Sequence, residues 1–239
     1  MFNIPEKYKT DLNINMKDFI PKELKPEQKR RIKEAVRSAR LSYQIVGEEI
    51  ASVIDSNYHC QVIQCYDIEL TSIKETAFIA NIYQNAIKSL CIIHMRDSQN
   101  EVYSLALKRL SQQDRNQIVV NESVMTEQYP IGLPSSARER LSSYVQYESI
   151  CNKSNKVNFY KEIYEKIYLL MNEKSYSNTA ALLKDTVWYD AEQADRMFSY
   201  YKELVEKRNM VKKAATNAEK VKLNQDIKAE IQILNSRKY

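Results

Sequence analysis

Glycine is almost missing from this chain: two, Gly47 and Gly132, occur in 239 residues. A loop that cradles phosphate needs clustered glycines so that backbone N–H groups can approach the anion; neither a nucleoside-triphosphate loop nor a dinucleotide fingerprint can be built, and ATP hydrolysis is not expected. Histidine is equally scarce, with His59 and His94 alone, which removes most zinc-hydrolase and Ser-His-Asp schemes. The four cysteines, Cys60, Cys65, Cys91 and Cys151, contain no C-x-x-C pair and fit a reducing compartment in which buried thiols act as small apolar side chains. No basic start followed by an apolar run opens the chain, and no stretch nears the roughly 20 apolar residues of a membrane helix. The expectation is a soluble, cytoplasmic protein without membrane association.

What is present is enough apolar material, 44% of the residues, to fill one large core or two small ones. Charge is unevenly spread. Residues 1–50 hold 11 basic and 8 acidic groups, residues 51–201 hold 15 and 18, and residues 202–239 hold 10 and 5, or +3, −3 and +5. Basic ends around a slightly acidic middle suggest an acidic partner at the ends.

The stretch "KPEQKRRIKEAVRSARLSYQI" places Pro26 at a first helical turn and repeats Ile32, Val36, Ala39 and Tyr43 at helical spacing, which predicts an N-terminal helix. Arg30, Lys33, Arg37 and Arg40 would then share one side of it as a cationic ridge. "HCQVIQCYDIEL" reads as a strand, and "SIKETAFIANIYQNAIKS" as a helix opened by Ser72 and Glu75. "LCIIHM" and "EVYSLAL" flank the turn-like "RDSQN", and "NQIVVNESV" supplies a further strand. The fold class is α+β: an N-terminal helix, a small mixed β-α-β-β-β sheet over residues 1–130, and a helical region over residues 131–239 beginning near "YPIGLPSSARER".

In the C-terminal region "NKVNFYKEIYEKIYLLMNEK" repeats Phe159, Ile163, Ile167 and Leu170, Asp190 and Gln193 cap a long helix, and Thr216 and Glu219 form the signature of a new one. A coiled-coil-like helical hairpin follows. In its last helix Ala218, Val221, Asn224, Ile227, Ile231 and Leu234 form an apolar seam with one polar member, a pattern that fixes register or partner. Lys212, Lys213, Lys220, Lys222 and Lys228 surround it. Val221, Asn224, Ile227, Ile231 and Leu234 are the candidate partner-binding residues; the groove-mate is the preceding helix or a second chain, so a homo-oligomer is one outcome.

The blocks "IPKELKPEQKRRIKEAVRSARLSYQI", "VIQCYDIEL" with "IANIYQNAIKSLCIIHM", and "NAEKVKLNQDIKAEIQIL", in that order, resemble the bacterial domain-of-unknown-function family four-three-nine-one; the segment from Pro134 to Trp188 matches it poorly. The resemblance implies an accessory protein encoded beside helicases and DNA methyltransferases in restriction-modification or antiphage (antiviral) defence loci. It implies no activity, because the family has no defined catalytic residues.

The residues offer few chemical alternatives. Asp67 and Glu69, two apart on a strand, could serve with Lys108 as the carboxylates and lysine of a metal-dependent nuclease, although the proline-aspartate and glutamate-x-lysine spacing is missing. His59, Cys60, Cys65 and His94 are the conceivable soft-metal set, but Cys60 and Cys65 would face opposite sides of a regular strand. "SNTAALLKDTVWYDAEQADRMFSYY" has the outline of a helix-turn-helix without its turn glycine, and Trp188 reads as a packing anchor. The preferred reading is an accessory, non-catalytic protein and nucleic-acid binding subunit, with a helicase or methyltransferase subunit and DNA as partners. Arg30, Lys33, Arg37, Arg40, Lys212, Lys213, Lys220 and Lys222 are its candidate DNA-binding residues. No metal or other cofactor is expected. The alternatives are the nuclease and a self-assembling structural protein.

Overall fold

The computed structural model describes residues 2–115, 117–237 and 239. Its contacts group into two compact units, Met1–Tyr164 and Glu165–Tyr239. Residues 131–164, which the sequence assigns to the helical C-terminal region, therefore lie with the sheet.

In chain order the first unit contains β1 (Lys9–Asn13), α1 (Met16–Phe19), α2 (Pro26–Ala35), β2 (Val36–Ile45), β3 (Val53–Ile54), β4 (His59–Cys60), β5 (Ile63–Leu70), α3 (Thr76–Ala86), β6 (Leu90–Arg96), β7 (Asn100–Leu110), β8 (Ile118–Met125), β9 (Tyr129–Pro130) and α4 (Ser136–Val145). α5 (Lys156–Met171) runs across the boundary. The expected β-α-β-β-β run is β5-α3-β6-β7-β8, with β5 and β6 parallel and the other neighbours antiparallel. Asn116, the first residue of the fourth expected strand, lies outside the described residues. The sheet is wider than the sequence suggests: its order is β1-β2-β5-β6-β7-β8, with β9 also on β7.

The extra width corrects the reading of the N-terminal helix. α2 starts as expected, with Pro26 in its first turn and Gln28 accepting from the Lys25 N–H, but it stops at Ala35. Val36 to Ile45 is a strand held between β1 and β5, in register from Val36 opposite Leu70 to Ile45 opposite Ile63. Spacing at 36, 39 and 43 satisfies a helix, yet two flanking ladders satisfy the backbone of this segment as a strand, and tertiary pairing overrides local propensity. The expected strand from His59 to Leu70 is likewise two pieces, because β4 pairs with β3 in a separate two-stranded sheet.

Alternation along the strands decides what each face carries. Ile68, Leu70, Cys91, Ile93, Met95 and Val102 pack against Ile79 and Tyr83 of α3 in one continuous core with Ile32 of α2. On the opposite face Ile63, Cys65, Ile92 and Leu105 are also fully buried. There Phe2 stacks on Tyr103, and the Tyr160 hydroxyl of α5 donates to the Cys91 carbonyl (2.8 Å) and accepts from the Ala106 N–H (3.0 Å).

The second unit holds the end of α5, α6 (Thr179–Leu182), α7 (Ala191–Lys213) and α8 (Asn217–Ser236). Asp190 caps α7 by accepting from the N–H groups of Glu192 and Gln193, and Thr216 with Glu219 forms the capping box of α8. Trp188 is buried with its indole N–H on the Leu182 carbonyl (2.8 Å), the packing role expected of it. α6 is a single turn, too short to serve as a helix of a helix-turn-helix.

Candidate functional site

The polar side chains that converge in the first unit lie on the sheet face opposite α3. Asp67 is directly beside His94 in the parallel β5–β6 register, and Glu101 reaches His94 from β7. His94 Nδ1 bonds Asp67 Oδ1, and Nε2 lies 2.9 Å from Glu101 Oε2. Ser42 of β2 donates to the free Asp67 oxygen (2.5 Å), while Arg138 of α4 donates to the free oxygen of Glu101. Tyr103 stacks on the imidazole at 4.6 Å. The chain Ser42–Asp67–His94–Glu101–Arg138 joins four strands and a helix; Ser42 at one end is buried, Arg138 at the other is 50% exposed, and Asp67 is 24% exposed.

Protonation follows from this geometry. Burial would depress the His94 pKa, but hydrogen bonds and charge from Asp67 and Glu101 outweigh it and raise it above the ordinary value. Burial would raise the Asp67 pKa, but bonding to His94 and Ser42 brings it down to about 2. Glu101 is also lowered: His94 and Arg138 overcome the effect of its burial. The arrangement is carboxylate, imidazolium, carboxylate and guanidinium. An imidazolium bonded at both nitrogens has no lone pair for a proton or a metal, so His94 in this state braces the sheet and offers no general base.

This cluster, not visible as a motif, is what the sequence reading missed. In the sequence Asp67 figures only in the alternative nuclease set, and His94 only in a soft-metal set that the cysteine spacing disfavours. The nuclease set is not brought together. Glu69 lies 3.7 Å from Arg37, and Lys108 is buried on the α3 side of the sheet, where its Nζ donates to the carbonyls of Ile87 (2.8 Å) and Ser89 (3.1 Å). Asp67 faces the other way. Nor do His59, Cys60, Cys65 and His94 converge; among the described residues no group of three or more His, Cys, Asp or Glu side chains could hold a metal ion.

The cationic ridge is dispersed as well. Arg30 and Lys33 are on α2, whereas Arg37 and Arg40 are on β2. Arg30 lies 3.8 Å from Glu34, and Arg40 lies 2.8 Å from Asp11 of β1. Three of the four cations therefore have carboxylate neighbours within the protein.

The C-terminal lysines stand differently. Lys212 and Lys213 end α7, Lys220 and Lys222 lie in the first turns of α8, and all four are exposed. None forms an ion pair among the described residues. Met210 and Val221, both more than half exposed, stand among them. The seam itself is shifted. Ile227 and Leu234 are buried as expected and Ile231 is half-buried, but Ala218, Val221 and Asn224 are exposed. The polar member of the packed face is Glu230, which accepts from Lys207 of α7 at 2.5 Å. The groove-mate is the preceding helix.

Among the described residues no helix is long and apolar enough to cross a membrane. A family model described as "Domain of unknown function (DUF4391)" matches residues 2–232. No curated protein and no solved structure matches the chain.

Proposed function

The chain belongs to the DUF4391 family, and from that premise we propose that it is an accessory, non-catalytic binding subunit of a bacterial helicase- or methyltransferase-containing defence or restriction-modification system, with its nucleic-acid contact at the α7–α8 turn. The observation that carries the reading is the cluster of Lys212, Lys213, Lys220 and Lys222, exposed on either side of Ala214–Thr216 and free of carboxylate partners among the described residues. Unpaired ammonium groups at a helical tip can exchange their counterions for backbone phosphates without first breaking internal ion pairs. Arg30, Arg37 and Arg40 have no such freedom.

Absence of catalysis is supported by the dispersal of Asp67, Glu69 and Lys108 over two sheet faces and by the double engagement of His94. The self-assembly alternative loses its main support, because α8 already spends Ile227 and Leu234 on packing within its own unit.

The reading is tested by titrating labelled duplex and single-stranded DNA with the parent chain, with the Lys212, Lys213, Lys220 and Lys222→Gln variant, and with an Arg30, Arg37 and Arg40→Gln variant. Loss of binding in the lysine variant and its retention in the arginine variant is the expected result. The reverse pattern, or no binding by the parent, refutes the assignment of the contact to this turn.

A further inference from the structure

Cys91 and Lys108 form a buried thiol–amine pair on the α3 side of the sheet, away from the His94 cluster. Lys108 Nζ lies 3.2 Å from Cys91 Sγ, and the thiol donates to Gln84 Oε1 at 3.3 Å. Lys108 has no carboxylate partner among the described residues; its other hydrogen bonds go to the Ile87 and Ser89 carbonyls. Burial lowers the Lys108 pKa and raises that of Cys91, which favours a neutral amine beside a neutral thiol. Lys108 lines a narrow cleft with Asn57, His59 and Arg109, and Gln84, which accepts from the Cys91 thiol, lines another of about 210 Å³ between α3 and β8; Cys91 itself is fully buried behind them.

We propose that Cys91 and Lys108 are a site of peroxide-dependent, reversible covalent cross-linking, in which one oxygen atom bridges Sγ and Nζ. Cys91 passes its proton to the Lys108 amine 3.2 Å away, attacks one hydrogen peroxide as the thiolate and becomes a sulfenic acid, and the departing hydroxide takes the proton back from Lys108 and leaves as water. The amine attacks a second peroxide and becomes a hydroxylamine, again releasing water. The hydroxylamine oxygen then attacks the sulfenic sulfur, the S–OH bond breaks and a third water leaves. Sulfur and nitrogen each lose two electrons, and the two peroxides take up all four. Two equivalents of a dithiol reverse the change, restoring thiol and amine with release of one water. Fixing the sulfur between an amide oxygen and the amine nitrogen places it for this condensation, since proximity of the reacting atoms replaces a bimolecular encounter.

The test is made on the full chain. Peroxide is raised until the half-exposed Cys151 is oxidised; the protein is then alkylated, digested with trypsin without reductant and analysed by mass spectrometry. The expected product joins the peptide 89–96 to the peptide 97–109, with a mass equal to their sum plus one oxygen minus two hydrogens, and with cleavage after Lys108 lost. Dithiothreitol before digestion should restore the free peptide 89–96 and, with cleavage after Lys108 regained, the peptide 97–108. Recovery of Cys91 as an alkylated thiol, a higher oxyacid or a disulfide, with Lys108 still cleaved while Cys151 is oxidised, overturns the proposal. Lys108→Arg retains donors for the two carbonyls and should show no joined peptide; persistence of that product in the variant overturns the assignment too. Because the first measurement uses the unaltered chain, the result does not depend on the variant folding.

Discussion

His94 is held between two carboxylates, and its contribution to stability must therefore depend on pH in a defined direction. Its folded pKa is raised above the ordinary 6.5, so the stabilisation is complete below that value and is lost as pH rises through the folded pKa. Asp67 acts on the other side: its folded pKa of about 2 lies below the ordinary 3.8, so its contribution is complete above 3.8 and is lost as pH falls toward 2. His94→Gln removes the central cation and leaves the carboxylates of Asp67 and Glu101 facing each other without it, a change that costs about 3–5 kcal/mol for a buried pair. Urea unfolding across pH should show the gap between parent and variant greatest from about pH 4 to 6 and shrinking on the alkaline side. A gap that stays constant up to pH 9 contradicts the imidazolium assignment.

Elements differ in how far their own residues define them. The caps of α7 and α8 were legible because Asp190 with Gln193, and Thr216 with Glu219, act within one helical turn; so was the β6–β7 hairpin, whose turn residues lie between its strands. β2 was not legible, because Arg37 to Tyr43 satisfies a helical spacing and becomes a strand only through β1 and β5, which lie elsewhere in the chain. The His94 cluster depends on the same long-range register, since Asp67 comes beside His94 only through the parallel β5–β6 pair. On α8 the apolar positions were legible but the orientation was not: Val221 fits the seam by spacing, and the packed face has turned toward Ile227 and Glu230. Two substitutions separate these descriptions. Ile227→Asp should destabilise the second unit by about 3 kcal/mol by burying an unpaired charge, whereas Val221→Asp, 57% exposed, should change stability by no more than about 0.5 kcal/mol. Thermal unfolding followed by circular dichroism distinguishes them, and an unchanged transition for Ile227→Asp would mean that this face is not packed in the protein. Thr216→Ala should cost about 1 kcal/mol through loss of the α8 cap.

The charge pattern of the whole molecule acquires a meaning that the sequence total of +5 hides. Arg30, Arg37 and Arg40 each stand beside a carboxylate, Glu34, Glu69 and Asp11, whereas the four lysines at the α7–α8 turn have no carboxylate partner among the described residues. The central claim is that four lysines there meet nucleic-acid phosphates, and salt dependence tests it most directly. Each duplex phosphate neutralised contributes a slope of about −0.9 to log affinity against log salt, so four contacts give roughly −3 to −4. The account predicts that slope for the parent chain and a nearly flat line for the variant with Lys212, Lys213, Lys220 and Lys222→Gln. Equal slopes for the two proteins would contradict it.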